Sequence, residues 1–350
     1  MEQPLQLTTQ NLDDGFEWLC KQRRHYPANV DIWLLRARWQ DLKPWLLSDI
    51  NAGRYRFSPL QKICKKNRQI VHVWSACDAL VIKVLTQLLQ SQLRLSERCT
   101  HLKGHLGLKQ TVCEVQTKLP DYTYVCKTDV KDFYASIDQY ILLNQLADHV
   151  SHRLLRRYCY QIVHRTLECG GEFTEIEQGI SRGCAMSPLL EALYLTQLDE
   201  LMSRQPSVYY VRYMDDILLF TKTRWHNRRA IQALNQIFND LKIKQHPNKT
   251  FIGKIERGFD FLGYHFSRQP LTLAVKTVSR HVERWHRLYE QQRSNIANSE
   301  ELALILGQYV QRWLKVVSGG VERDYSKRLR KQRGLTKPDA INNNTLGSGT

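Results

Sequence analysis

Two adjacent acids, Asp215 and Asp216, sit inside the apolar run SVYYVRYMDDILLF at residues 207–220. A third, Asp129, lies near the end of a second apolar run, YVCKTDV, at residues 124–130. Both runs read as strands, and Met214–Asp215 falls where a tight turn would join two of them. Taken alone, the Asp pair is equally well a solvated hairpin tip. If the strands are neighbours in one sheet, however, all three carboxylates converge at one edge. Like charges that close repel unless a cation neutralises them. Hard oxygen ligands that leave positions open for phosphates suit Mg²⁺. Two such ions about 3.5–4 Å apart can activate an attacking hydroxyl and stabilise a leaving oxygen. The chemistry expected is phosphoryl transfer with two Mg²⁺ ions, Mn²⁺ being an alternative.

The charge balance suggests the substrate. The chain has 350 residues, 51 Lys and Arg against 34 Asp and Glu, and a net charge of +17. Such an excess suits a polyanion, since each phosphate contact releases a counterion. With 42% hydrophobic and 24% charged residues, the chain can bury one large core or a few subdomains. Nine cysteines without a C-x-x-C pair argue against a disulfide framework or zinc ribbon and for a reducing cytosol. Cys99, His101 and His105 lack a matching second pair and read as packing or loop residues. The N-terminus MEQPLQLTTQ does not resemble a signal peptide, and no apolar run reaches the ~18 residues of a membrane helix. A cytoplasmic location is expected.

The elements that must position the acids follow from pattern. Residues 1–55 carry apolar positions at helical spacing, from Phe16 and Leu19 to Trp39 and Trp45. A period-2 stretch, YRFSPLQKICKKNRQIVHVWS, predicts a hairpin with cations at its tip, and 78–95 an amphipathic helix. CTHLKGHLGLKQ reads as a polar loop. Two helices are expected over 140–168. A glycine-rich loop should then open onto one long helix, with Pro188 in its first turn. Another helix is expected at 227–241, a short strand region at FDFLGYHF, and two helices from about 277. Six cations crowd residues 323–333 before a polar end.

The residues around these elements resemble reverse transcriptases. YMDD (213–216) resembles their catalytic turn, and TDVKDFYASID (128–138) their first catalytic motif. GISRGCAMSPLLEALYL resembles the loop and helix that hold nucleotide and template. HPNKT resembles the next turn, and FLGYHF the primer grip. The tetrapeptide alone is weak, but five motifs in order over roughly 55–270 are specific. The flavour is that of the bacterial retron and group II intron-like branch.

The resemblance implies an α+β right-hand polymerase with a helical N-terminal extension (1–54), fingers and palm (55–270), a helical thumb (271–320) and a basic tail (321–350). Fingers would take about 55–125 and 140–185, and palm 126–139 and 186–270. It implies that Asp129 and Asp215 are the main metal ligands, with Asp216 a looser one and the Val130 carbonyl completing the nucleotide-bound metal. Tyr134 lies at the steric-gate position, where its ring would reject a ribose 2′-hydroxyl; otherwise it is a core tyrosine. The main-chain N–H groups of Asp132 and Phe133 would face the triphosphate. Lys65 and Arg68, with Lys66 beside them, would neutralise it, or else form a solvated basic turn. Lys249 is a possible general acid near the leaving pyrophosphate, or a surface cation. Phe261, Leu262, Gly263 and Tyr264 would form the primer grip.

One position departs from the pattern. Arg182 stands where these enzymes usually have glutamine, and it can act only as cation and donor. Gly183, Cys184 and Ala185 fit a surface approached closely by backbone or base. The chain leaves no room for RNase H, integrase or endonuclease domains. It lacks the Leu-Thr-Ser-Gln run of diversity-generating elements, and the Asn-Ala-x-x-His and Val-Thr-Gly marks of retron enzymes. It resembles the unclassified bacterial reverse transcriptases, several groups of which serve antiphage defence. The expected activity is RNA-directed DNA synthesis from dNTPs on a dedicated, structured noncoding RNA. Untemplated or protein-primed synthesis and an RNA-binding, maturase-like module with an idle site are the alternatives.

Overall fold

The structure is a computed structural model and describes residues 3–64, 70–293 and 299–318. The chain forms two units: residues up to 108 with 121–254, and residues 109–120 with those from 255 onward.

In the first unit, the N-terminal helices α1 (Thr9–Gln22), α2 (Ile32–Ala37) and α3 (Trp39–Asn51) begin the chain. Thr8 opens α1 with a capping box shared with Asn11, satisfying donors that the first turn leaves free. Strands β1 (Leu60–Cys64) and β2 (Ile70–Val73) form an antiparallel hairpin, followed by α4 (Ala76–Gln92). Leu12, Leu19, Ile32, Leu46 and Ile50 are buried in the same apolar cluster as Leu80, Val84, Leu85 and Leu89 of α4. The N-terminal helices are therefore part of this unit's core, and truncating one such leucine would cost about 2–5 kcal/mol.

Helix α5 (Gly107–Lys118) runs into the second unit. The first unit resumes with β3 (Tyr124–Asp129), α6 (Phe133–Ser136), α7 (Gln139–His149), α8 (Arg153–Val163), β4 (Thr166–Cys169) and β5 (Glu172–Glu175). It continues through α9 (Ser187–Tyr194), α10 (Thr196–Ser203), β6 (Val208–Tyr213), β7 (Asp216–Thr221), α11 (Arg224–Asp240) and β8 (Phe251–Lys254). Two sheets result. One has the order β2-β1-β4-β5, with β1 and β4 parallel. The other has the order β6-β7-β3-β8, with every neighbouring pair antiparallel. Helices α10 and α11 pack on this second sheet. That packing leaves Ile217, Leu218, Leu219 and Phe220 all fully buried, so β7 reads as an unbroken apolar run rather than an alternation.

In the second unit, β9 (Phe259–Phe261), β10 (Tyr264–Phe266) and β11 (Thr272–Leu273) form a three-stranded sheet, and α12 (Val275–Arg293) and α13 (Ser299–Val317) follow. His281 of α12 stacks on Trp313 of α13, with ring centroids 3.7 Å apart.

Three local expectations change. The polar loop ends earlier than read, because α5 starts at Gly107 and buries Val112 and Val115. The second of the helices expected over 140–168 stops at Val163, and β4 and β5 form a hairpin. Gly170 and Gly171 make its turn, both with positive φ, the conformation a two-residue hairpin loop demands. The single long helix after Pro188 is interrupted at Leu195 and becomes α9 and α10. Among the described residues no helix is long and apolar enough to cross a membrane.

Candidate active site

The β3–β7 register puts Asp129 directly opposite Asp216, and the β6–β7 register puts Tyr213 opposite Asp216. Met214 and Asp215 are thus a two-residue turn at the edge where β3 also ends. Met214 adopts φ 54°, in the left-handed region that a side chain occupies only when its surroundings enforce it. Both of its backbone polar groups are held. Its N–H donates to His101 Nδ1 at 3.1 Å, and its carbonyl accepts from Arg212 Nη1 at 3.2 Å. Because Nδ1 accepts, the ring's proton sits on Nε2, which donates to the Pro188 carbonyl at 3.1 Å. Burial, and then the Arg212 charge, push His101 down to about 4, so the ring is neutral.

Arg212 is itself fully buried. Its Nε and Nη2 donate to the two carboxylate oxygens of Asp199 at 2.7 and 2.8 Å, and Nη2 also reaches the Ala192 carbonyl at 3.0 Å. Asp199 accepts in addition from Tyr210 at 2.6 Å. The bidentate pair satisfies a charge that would otherwise be very costly to bury.

The three acids differ in environment. Asp129 is 4% exposed, and its Oδ2 accepts from Lys249 Nζ at 2.6 Å. Asp216 lies 3.2 Å from Lys127 Nζ. Asp215 carries no lysine in either pair. Burial, and then the negative charge of Asp129 beside it, push Asp215 up to about 6. Burial raises Asp216 as well, against the opposing effect of Lys127. The hydrogen bond to Asp129 raises Lys249 in turn. Lys249 is carried by a short turn whose His246 N–H donates to the Asp129 carbonyl at 2.7 Å.

Tyr134 stands on α6, which Asp132 opens at φ 48°. The Tyr134 carbonyl accepts from Ile180 N–H at 2.7 Å, and the phenol donates to Glu191 Oε2 at 3.0 Å. Gly179 makes this approach possible, since a Cβ there would lie 2.6 Å from the Tyr134 carbonyl oxygen. Phe133 is buried, whereas Asp132 is exposed. Arg182 and Gly183 are exposed along a cleft of about 810 Å³ that Trp18, Arg23, His72 and Arg165 also line. Cys184, expected with them on an approachable surface, is instead buried. Lys65, Lys66, Arg68 and the 323–333 cluster lie outside the described residues.

In the second unit, Phe261 and Tyr264 pair across a two-residue turn made by Leu262 and Gly263, both with positive φ. Leucine is unusual in that conformation, so the turn is held by its surroundings. The Gly263 carbonyl accepts from Ala274 N–H at 3.0 Å and from the Thr277 hydroxyl at 2.9 Å.

A sequence profile described as "Reverse transcriptase (RNA-dependent DNA polymerase)" matches residues 60–266, more than half of the chain. The chain belongs to the reverse transcriptase family. Among curated relatives, Protein YkfC of Escherichia coli K12 is 24% identical, with the match covering 36% of this chain and 46% of that protein. Among solved structures, apo telomerase from Candida tropicalis superimposes with a TM-score of 0.53 at 12% identity, covering 84% of this chain and 66% of that one. Telomerase from Candida albicans with a fragment of telomeric RNA gives 0.49 at 11% identity, covering 79% and 60%. This chain therefore spans less than two thirds of the length of each of these relatives. The Candida tropicalis likeness shows the fold to be that of an α+β right-hand polymerase, with helices before the fingers and palm and after them.

For a reverse transcriptase the donor set fits a magnesium–phosphate site. Among the described residues no three His, Cys, Asp or Glu side chains close around a point as a protein-only cage would. Mg²⁺ characteristically takes one or two carboxylates and completes its shell with water and substrate phosphates. Asp129 and Asp215 are the carboxylates that could supply such a pair. The bridge between Val130 and Gln245 is made by Lys131 N–H to the Lys244 carbonyl and by His246 N–H to the Asp129 carbonyl. It leaves the Val130 carbonyl out of that pairing.

Sequence reading did not single out His101 as a support, nor Arg212, Glu191, Asp199 or Gly179 as members of the site. An arginine two residues before a turn inside an apolar strand was a usable signal, because a buried arginine needs a partner.

Proposed function

We propose that this chain is an RNA-directed DNA polymerase: a primer 3′-hydroxyl attacks the α-phosphate of a dNTP and releases pyrophosphate. The observation that carries this reading is the register that sets Asp129 opposite Asp216, with Asp215 beside them at the same sheet edge. Two Mg²⁺ ions, when bound, would activate the hydroxyl and stabilise the leaving oxygen. Asp129 and Asp215 are the principal ligands, Asp216 a weaker one, and the Val130 carbonyl a main-chain ligand. Tyr134 lies under the incoming sugar and selects deoxyribose. The N–H groups of Asp132 and Phe133, with Lys65 and Arg68, meet the triphosphate. Arg182 reaches nucleotide or template, and Lys249 acts near the leaving pyrophosphate. Phe261, Leu262, Gly263 and Tyr264 grip the primer end.

The template in this reading is a dedicated structured noncoding RNA, held through basic surface that includes the 323–333 cluster. The net charge of +17 supports such a partner. The sequence flavour supports a bacterial, cytoplasmic enzyme of the retron and group II intron-like branch, with a role in antiphage defence.

The test is to purify the protein from its native cells and sequence the RNA and DNA that accompany it. One defined RNA with complementary DNA is expected. DNA that forms equally well after the RNA is destroyed would contradict templated synthesis and favour untemplated or protein-primed synthesis.

A further inference from the structure

Glu191 is a buried carboxylate that charge balance does not explain. It is 0% exposed. Among the described residues the cation paired with it is Arg212, which is already matched by Asp199 through bonds of 2.7 and 2.8 Å. Arg212 Nη1 approaches Glu191 Oε1 only to 3.7 Å, and Oε1 makes no hydrogen bond among the described residues. Burial pushes Glu191 up to about 8, against the opposing pull of Arg212 and the Tyr134 hydroxyl. Removing the carboxylate would leave the Arg212–Asp199 pair intact. What Glu191 does hold is the far end of Tyr134, whose hydroxyl donates to Oε2 at 3.0 Å.

The near end of Tyr134 is fixed as well. Gly179 packs on its carbonyl, and Ile180 N–H donates to that carbonyl at 2.7 Å. With the backbone pinned by one loop and the phenol by α9, both side-chain torsions of Tyr134 are fixed. A half-buried ring without the distal anchor would turn about its Cα–Cβ bond. The α6 helix that carries it is only four residues long, and the ring packs against the core along one side, so the bond to Glu191 is what fixes the hydroxyl end.

We propose that Glu191 is a positioning residue for sugar selection: by anchoring the Tyr134 hydroxyl it holds the ring where a ribose 2′-hydroxyl must clash. This inference rests on the reading of the chain as a DNA polymerase with Tyr134 under the sugar. It assigns to a buried acid of α9, which touches no substrate, a share of the choice between dNTP and rNTP.

The test is primer extension by the full-length protein, measuring kcat and KM for a dNTP and its matching rNTP. Glu191→Ala and Tyr134→Phe should each lower the dNTP-over-rNTP preference about three- to tenfold, the worth of one hydrogen bond. The change should lie mainly in a lower KM for the rNTP. Combined, the two substitutions should do no more than either alone, since both remove the same bond. Glu191→Gln keeps an acceptor of the same shape and should restore the preference to within about twofold. Tyr134→Phe preserves volume and reports on the bond even if Glu191→Ala does not fold. A wild-type preference in both Tyr134→Phe and Glu191→Ala, or additive losses in the double variant, would overturn the proposal. Tyr134→Ala with unaltered preference would overturn the gate itself, and this inference with it. A wild-type protein that incorporates no dNTP would overturn the polymerase reading first.

Discussion

Lys249 Nζ sits 2.6 Å from Asp129 Oδ2, so an ammonium group occupies the carboxylate proposed as a principal metal ligand. Lys127 bears in the same way on Asp216 at 3.2 Å. These lysines offset the repulsion among the three acids. If Asp129 is a metal ligand as proposed, metal loading would displace Lys249 from it and free the ammonium for the substrate phosphates. Lys249→Ala should tighten Mn²⁺ binding to the nucleotide-free protein, read by calorimetry, while slowing incorporation by about tenfold or more. Weaker Mn²⁺ binding in that variant would show that Lys249 does not compete with the metal.

Proton competition should appear at Asp215. Burial and the Asp129 charge push it up to about 6, so protons and metal contend for it just below neutrality. Above that value the carboxylate is ionised and available. Below it, apparent Mn²⁺ affinity should fall by up to about tenfold per pH unit for each proton displaced. Calorimetric titrations between pH 5 and 8 would measure this, and a flat profile would count against Asp215 as a ligand.

The turn that presents Asp215 is held from behind, and its supports should be separable from chemistry. Arg212→Met leaves Asp199 buried without its cation, a loss of about 3–5 kcal/mol. His101→Ala removes the acceptor of the Met214 N–H and the donor to the Pro188 carbonyl, two neutral bonds together worth about 1–3 kcal/mol. Urea denaturation would measure both. Equal losses in the two variants would contradict the view that Arg212 carries a charge and His101 only neutral bonds.

Glu191 gives stability a distinctive pH dependence. Its folded value, about 8, lies above the ordinary glutamate value, so folding favours the protonated form. Its contribution is complete below the ordinary carboxylate range and is lost as pH rises through about 8. Glu191→Gln should therefore gain melting temperature relative to wild type as pH is raised from 5 to 9. A constant difference across that range would contradict a raised Glu191.

The meeting of the three acids at one sheet edge was legible in sequence. Asp129 and the Asp215–Asp216 turn stand out against apolar strands, and the order of motifs ties them to one sheet. The Gly170–Gly171 turn signal stands in the sequence, but β4 and β5 are short and largely exposed, so neither shows the apolar alternation of a half-buried strand. The supports were not legible. Glu191 sits in an apolar helix where an acid reads as an interruption, and its partner Tyr134 lies 57 residues away. His101 and Met214 are 113 residues apart. Such contacts depend on how α9 and the 99–107 loop pack against the sheet, and no local pattern encodes that.

In the proposed function these three aspartates run metal-dependent DNA synthesis. Its most direct test is RNA-templated dNTP incorporation with Mg²⁺ by wild type and by the Asp215→Ala, Asp216→Ala double variant, with RNA binding measured alongside. Robust incorporation by wild type, none by the double variant, and largely intact RNA binding in both are expected. Full incorporation by the double variant would contradict the account.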